Sequence, residues 1–263
     1  MPRSESLGTP ALARGVSELP DPGRKPGVIG EELLDDRRAD PAAVVAQLGD
    51  IARLNRLFGG TRAVVSALEP LFARRATGNV QRATCNLQRR WTLLDVGTGS
   101  GDIPIAVAAA ARRHGLTLVP LGLDLIPSAV RLAHAKGVHS ILADGNCPPF
   151  APKSVDIVVA SQVLHHLPRA TAVQWIARLD QLARRAVVLA DLERSRLAMA
   201  GIWAATGPLG MSRRTRHDAI LSLRRGYTRS ELLALLAAAG VKARVLRRLW
   251  ARLVAVWEPQ CAP

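Results

Sequence analysis

The residues with the plainest chemical content lie in the run LLDVGTGSGD, residues 93–102. Gly97, Gly99 and Gly101 are spaced two apart, Thr98 sits between the first two, and Asp95 and Asp102 flank the set. Glycines so placed let the backbone take left-handed dihedrals and come close to a ligand. A dinucleotide fingerprint counted from Gly97 needs glycine at 102, where this chain has Asp102. A carboxylate in a helix's first turn suits the helix dipole, yet it repels a pyrophosphate that wants the same amides. A ligand that carries cationic groups gains from both acids.

Three more acids close apolar runs: Asp124 in GLD, Asp144 in ADG and Asp191 in VVLADLER. Asp124, followed by Leu125, falls 23 residues after Gly101, about where an acid accepts hydrogen bonds from both ribose hydroxyls. Asp144 can accept from an adenine amino group. His165 and His166 in VLHHLP are candidate general bases, because a neutral imidazole takes a hydroxyl proton near pH 7. Tyr227 reads as a wall of the pocket and Cys147 as structural. Cys85, Cys147 and Cys261 show neither CxxC nor Cys/His ligand spacing, so neither a disulfide framework nor a metal site is expected.

These side chains need elements to hold them. From Trp91 onward, continuously apolar strands are expected at 92–97, 117–124, 138–142, 155–160 and 186–191, with helices at 103–114, 127–136 and 170–183. Such alternation predicts a doubly wound α/β sheet with both faces covered. Ligands then bind beyond the carboxyl ends of the strands, where the acids gather. The tail begins a helix at Thr228 with a capping box to Glu231, stops it at Gly240, and ends in two adjacent strands that suggest an antiparallel hairpin. Upstream, Asp40 caps a helix that starts at Pro41 and ends at the FGG of 58–60; a second helix follows over 61–75 and a polar loop over 76–90. Residues 1–30 read as a disordered leader and 31–90 as a helical cap on a domain spanning 91–263. The stretch 192–226 is too long for a plain connection and reads as a substrate cover.

DVGTGSG, GLD, ADG and VDIVVASQVLHHLP, in that order, resemble the class I S-adenosylmethionine-dependent methyltransferases, most closely the small-molecule branch related to ubiquinone and menaquinone biosynthesis. The resemblance covers about residues 85–260. It implies a Rossmann-like, seven-stranded sheet whose last strand is antiparallel. It also implies S-adenosyl-L-methionine as cofactor. Asp95, Gly97, Gly99 and Gly101 would surround its methionine part, Asp124 its ribose, and Asp144 with Gly145 its adenine. Ser161 to Leu164 would line the methyl-transfer side, and the NRLFGG segment, with Asn55, Arg56 and Phe58, could close over the cofactor. The implied activity is methyl transfer to a small acceptor, and the apolar 192–226 stretch favours a phenolic, polyketide or quinone-like one.

Net charge is +15, with 32 Arg against 4 Lys. This raises the alternative of a nucleic-acid methyltransferase. The arginines are spread over the whole chain with no aromatic interleaving. Amino-group methylation of bases in this family shows an Asn/Asp-Pro-Pro-aromatic motif after the fourth strand, where this chain reads SQVLHH. A protein that binds the cofactor without turnover is a further alternative. No signal-type segment or membrane-length apolar run occurs, so the expected location is cytoplasmic.

Overall fold

The structure, a computed structural model, describes residues 32–36, 38–77 and 90–260. The leader expected at 1–30 and most of the polar loop at 76–90 lie outside the described residues.

Seven strands form one sheet in the order β3-β2-β1-β4-β5-β7-β6. They are β1 (Arg90–Val96), β2 (Thr117–Asp124), β3 (His139–Leu142), β4 (Val155–Ser161), β5 (Ala183–Leu192), β6 (Arg244–Arg248) and β7 (Arg252–Trp257). The first five run parallel; β7 runs antiparallel to both β5 and β6. The tail hairpin therefore inserts its second strand into the sheet and leaves β6 at the edge. The helices are α1 (Pro41–Leu57), α2 (Gly60–Thr77), α3 (Asp102–Arg113), α4 (Pro127–Ala135), α5 (Arg169–Leu182), α6 (Arg196–Thr206), α7 (Arg213–Arg225) and α8 (Arg229–Ala238). This is the doubly wound, seven-stranded architecture expected.

Side-chain alternation on the strands builds a core on each face of the sheet. Leu94, Val96, Val158, Leu189 and Leu253 pack with Trp175, Ile176 and Leu179 of α5 and with Leu232 and Leu235 of α8. Their neighbours Leu93, Ile157, Val159, Val188 and Val254 face the other way, against Val64, Leu68 and Phe72 of α2 and Ile103 and Val107 of α3. A third cluster ties the N-terminal cap to the sheet edge: Leu33, Val44 and Leu48 meet Ile126 and Ala129.

Local signals explain the element ends. The Asp40 carboxylate accepts from Ala43 N–H at 3.0 Å ahead of Pro41. Thr228 and Glu231 form the reciprocal capping box of α8, and Arg194 adds a 2.7 Å ion pair to Glu231. The 192–226 stretch is two helices, α6 and α7, each started by a serine cap, Ser195 and Ser212. No helix among the described residues is long and apolar enough to cross a membrane.

Candidate active site

The carboxyl ends of β1, β2 and β4 open into a cavity of about 940 Å³, roofed by α1, α6, α7 and the short helical turn Leu33–Asp35. The glycine loop forms its floor. Gly97 and Thr98 donate their N–H groups to Leu123 O at 2.8 and 3.0 Å, pinning the loop to the end of β2. Gly97 has φ +76°, and a Cβ there would collide with Val163, so both dihedral and space require glycine. Gly101 has a different task. At φ +75° it caps α3 and lets Ala133 and Val138 approach to about 3 Å of where its Cβ would be. It packs the loop and, unlike Gly97, Thr98 and Gly99, does not line the cavity.

Asp95, Asp102, Asp124 and Asp144 all line this cavity, as do Leu125, Gly145 and Ser161. Asp124 Oδ2 accepts Gly99 N–H at 2.8 Å and its Oδ1 accepts Ile126 N–H at 3.0 Å. Burial nevertheless raises its pKa, the backbone amides of Gly99, Ile126 and Leu125 offsetting only part of that cost. Burial also pushes Asp95 up to about 8, helped by the neighbouring charges of Asp102 and Asp124. Asp95 Oδ1, Asp102 Oδ2 and Ser161 Oγ are buried and have no hydrogen-bond partner. Such groups cost free energy unless something satisfies them. Asp144 folds back on Asn146, whose N–H and side-chain amide reach its Oδ1 at 2.8 and 3.0 Å. Gly145 O accepts from Trp175 Nε1 at 2.9 Å.

Three expectations need correction. Leu164 is fully buried in the α5 core, because the helical turn Leu164–His166 points it under the sheet, and it does not line the cavity. Tyr227 is buried in the same core, where its backbone bridges to Glu193; it is no pocket wall. Asp191 is not part of the acidic rim: its Oδ1 lies 2.6 Å from His165 Nδ1 and its Oδ2 accepts His165 N–H at 3.0 Å.

The two histidines close the far end of the cavity, their rings 4.2 Å apart between centroids. His165 is buried. His166 is a quarter exposed and sets Nδ1 2.7 Å from Asp35 Oδ1. Burial opposes ionisation of Asp191 and Asp35. The charge and hydrogen bonds of His165 outweigh this for Asp191, and His166 with Arg225 does so for Asp35, so both carboxyls sit below the usual carboxylate range. An ionised carboxylate only accepts, so each Nδ1 is the donor and each Nε2 is turned toward Glu32. Glu32 Oε1 is 4.0 Å from His165 Nε2, and Oε2 is 3.9 Å from His166 Nε2. Burial raises the Glu32 pKa despite Ser222 and Arg225 at its Oε1.

Sequence reasoning missed Glu32 and Asp35, which lie at the start of the described chain. Their spacing of three is a capping signal, and they do form a capping box, but nothing local names the histidines as partners. It also missed Arg252, whereas Gln162 falls within the expected Ser161–Leu164 wall. Gln162 lines the cavity at φ +60°, a costly conformation for a residue with a side chain, and donates to Asn55 Oδ1 at 2.7 Å. Arg252 is buried, which lowers its pKa to about 10, and reaches the same Asn55 oxygen at 3.3 Å. Asn55 and Phe58 line the cavity; Arg56 does not.

Residues 94–184 match the family model described as a methyltransferase domain. An uncharacterized methyltransferase of Mycobacterium marinum is 40% identical over 82 residues, 30% of each chain. A ubiquinone/menaquinone biosynthesis C-methyltransferase of Syntrophotalea carbinolica is 29% identical over 114 residues, 42% of this chain and 48% of that protein. The matches thus span about a third to a half of these curated relatives. Among solved structures, human N-acetylserotonin methyltransferase in complex with S-adenosylmethionine aligns with a TM-score of 0.56 at 16% identity, over 93% of this chain and 64% of that one. An S-adenosylmethionine-dependent methyltransferase from Aquifex aeolicus aligns with a TM-score of 0.51 at 16% identity, over 84% and 99%. At such identities the likeness is one of fold. Family match and fold agree: residues 94–184 match a methyltransferase domain, and the chain around them has the fold of S-adenosylmethionine-dependent methyltransferases.

Proposed function

We propose that the protein transfers a methyl group from S-adenosylmethionine to a small, flat, largely apolar acceptor of phenolic, polyketide or quinone-like type. The observation that carries this reading is one cavity with two chemically distinct ends. At the glycine loop, one buried carboxylate oxygen each of Asp95 and Asp102, without a hydrogen-bond partner, faces the space a sulfonium and an ammonium would fill. Asp124 supports the ribose and the Asp144–Gly145 turn the adenine.

The other end suits an acceptor. Leu54, Phe58, Leu197, Ile202 and Trp250 line it, Phe58 and Trp250 packing edge to face at 5.3 Å. The polar group of the acceptor meets the His165–His166 corner, and a hydroxyl proton would leave in that direction. The name of the Syntrophotalea relative supports a quinone-like acceptor. Transfer from a sulfonium is an in-line displacement. The acceptor's electron pair forms the new bond to carbon as the S–C bond breaks, and sulfur leaves as a neutral thioether. Alignment of the two reactants alone supplies about 7–11 kcal/mol of the barrier, more than a single base contributes.

Calorimetry with S-adenosylmethionine tests the cofactor end. Asp124→Ala removes charge-assisted hydrogen bonds worth about 1.5–3 kcal/mol and should weaken binding roughly 10- to 150-fold. Unchanged affinity in a folded variant would refute the ribose assignment. Mass spectrometry for a gain of one methylene unit, across a panel of phenols, polyketides and quinols, tests the acceptor class.

A further inference from the structure

We propose that Glu32, His165 and His166 form a binding site for a divalent transition-metal ion at the acceptor end of the cavity. The inference rests on the methyl-transfer reading only for its purpose: the ion would take an oxygen of the acceptor and ionise it.

The geometry carries the site. One oxygen of Glu32, one nitrogen of His165 and one of His166 all lie within 4.8 Å of one another. His165 Nε2 lies 4.0 Å from Glu32 Oε1, and His166 Nε2 lies 3.9 Å from Oε2 of the same carboxyl. Around a tetrahedral zinc-like ion with bonds near 2.0–2.1 Å, neighbouring donors stand ~3.3 Å apart. Closing the set on an ion from separations of at most 4.8 Å therefore needs movements of up to about an ångström, within reach of side-chain rotation.

The outer partners point the same way. Imidazoles that hold a metal give their second ring N–H to a carboxylate, which fixes the tautomer and makes the ligating nitrogen more basic. Both histidines have this arrangement, His165 on Asp191 at 2.6 Å and His166 on Asp35 at 2.7 Å. A structural histidine pair has no need of two separate carboxylates that both leave Nε2 directed at a third. Glu32 fits as the anionic ligand. It is buried, with Asp35 beside it and its Oε1 already held by Ser222 at 2.9 Å and Arg225 at 3.2 Å.

Two imidazoles and one carboxylate suit zinc, iron, cobalt or nickel rather than magnesium or calcium, which prefer all-oxygen shells. Three protein ligands leave a position open, and all three residues line the cavity. An acceptor oxygen is the natural fourth ligand. In this role the histidines would hold the ion, and the ion would lower the pKa of the ligated hydroxyl so that its proton passes to water.

Cobalt(II) titration of untagged, chelator-stripped protein tests the site, because bound cobalt absorbs visible light when imidazole ligates it and zinc should displace it. The expected result is one ion per chain. His166→Gln and Glu32→Gln should each weaken binding at least tenfold, and Asp35→Asn roughly 10- to 100-fold through the loss of its support. His139→Gln, an exposed histidine far along the sheet edge on β3, should change nothing. Failure to saturate at one ion per chain by millimolar cobalt, or binding indifferent to both His166→Gln and Glu32→Gln, overturns the proposal. Calorimetry of the same stripped protein with S-adenosylmethionine separates the two readings. Uptake of the nucleoside without cobalt binding removes the metal site alone, whereas absence of nucleoside uptake removes the methyl-transfer reading.

Discussion

Asp95 is the side chain on which the cofactor end depends most. It is 1% exposed, and burial with two nearby acids pushes its pKa up from 3.8 to about 8. Near neutrality the ligand-free site therefore holds a proton where the proposed ligand brings positive charge. The bound sulfonium and ammonium favour the ionised form, so binding expels that proton. Affinity should climb with pH and level off above about 8. Calorimetry at pH 7 in two buffers of different ionisation enthalpy measures the release; identical apparent enthalpies would contradict it. Stability follows the same logic with its own sign. The folded pKa lies above the unfolded value, so the protonated group's contribution is complete below about pH 4 and lost as pH rises toward 8. Asp95→Asn, a mimic of the protonated acid, should flatten that part of the stability profile. The acids of the rim were legible in the sequence because each ends an apolar run or flanks the glycines. The His166–Asp35 pair was not, because its partners stand 131 residues apart and no local pattern links them.

At the scale of elements, strand and helix positions were readable because apolar runs, caps and glycine stops are local signals. How the cap sits on the sheet was not, since it depends on contacts between α7 and chain far upstream. Asp218 of α7 is 4% exposed, and its Oδ2 accepts both Leu33 N–H at 3.0 Å and Gln47 Nε2 at 2.9 Å. Thr215, one turn earlier, donates to Asp50 of α1 at 2.9 Å. These buried bonds latch α1, α7 and the turn that carries Glu32 into one roof. Asp218→Ala would leave a backbone and a side-chain donor buried without an acceptor, a loss of about 2–4 kcal/mol. For a domain of this size the melting temperature should fall by roughly 10 °C. Asp218→Asn keeps one oxygen and should fall less. A melting temperature within about 2 °C of the parent protein for Asp218→Ala would show that the latch is not what holds the roof.

For the whole molecule, the question is whether the roof and the sheet edge make one binding site or merely lie close together. The cavity wall changes owner along its length: residues 95–100 and 123–126 belong to the sheet side, whereas Leu48, Ile51, Leu54 and Asn55 belong to α1 and Thr215, Asp218 and Ser222 to α7. A ligand that fills it touches both, and opening either side then requires releasing the ligand. At a nucleoside concentration 100 times its Kd, global unfolding becomes about 2.7 kcal/mol harder. Amides that exchange through an opening that empties the site should slow by the same ~100-fold factor. Amides that exchange through small local openings elsewhere should not respond. Hydrogen exchange should therefore slow strongly in α1 and α7 when S-adenosylmethionine is added. Helix α8, none of whose residues line the cavity, should change only where it exchanges by global unfolding. If global stability rises while α1 and α7 exchange as before, the nucleoside rests on the sheet edge alone. The cap would then serve some purpose other than enclosing the reaction, and a roof latched by Asp218 would be a matter of stability and not of catalysis.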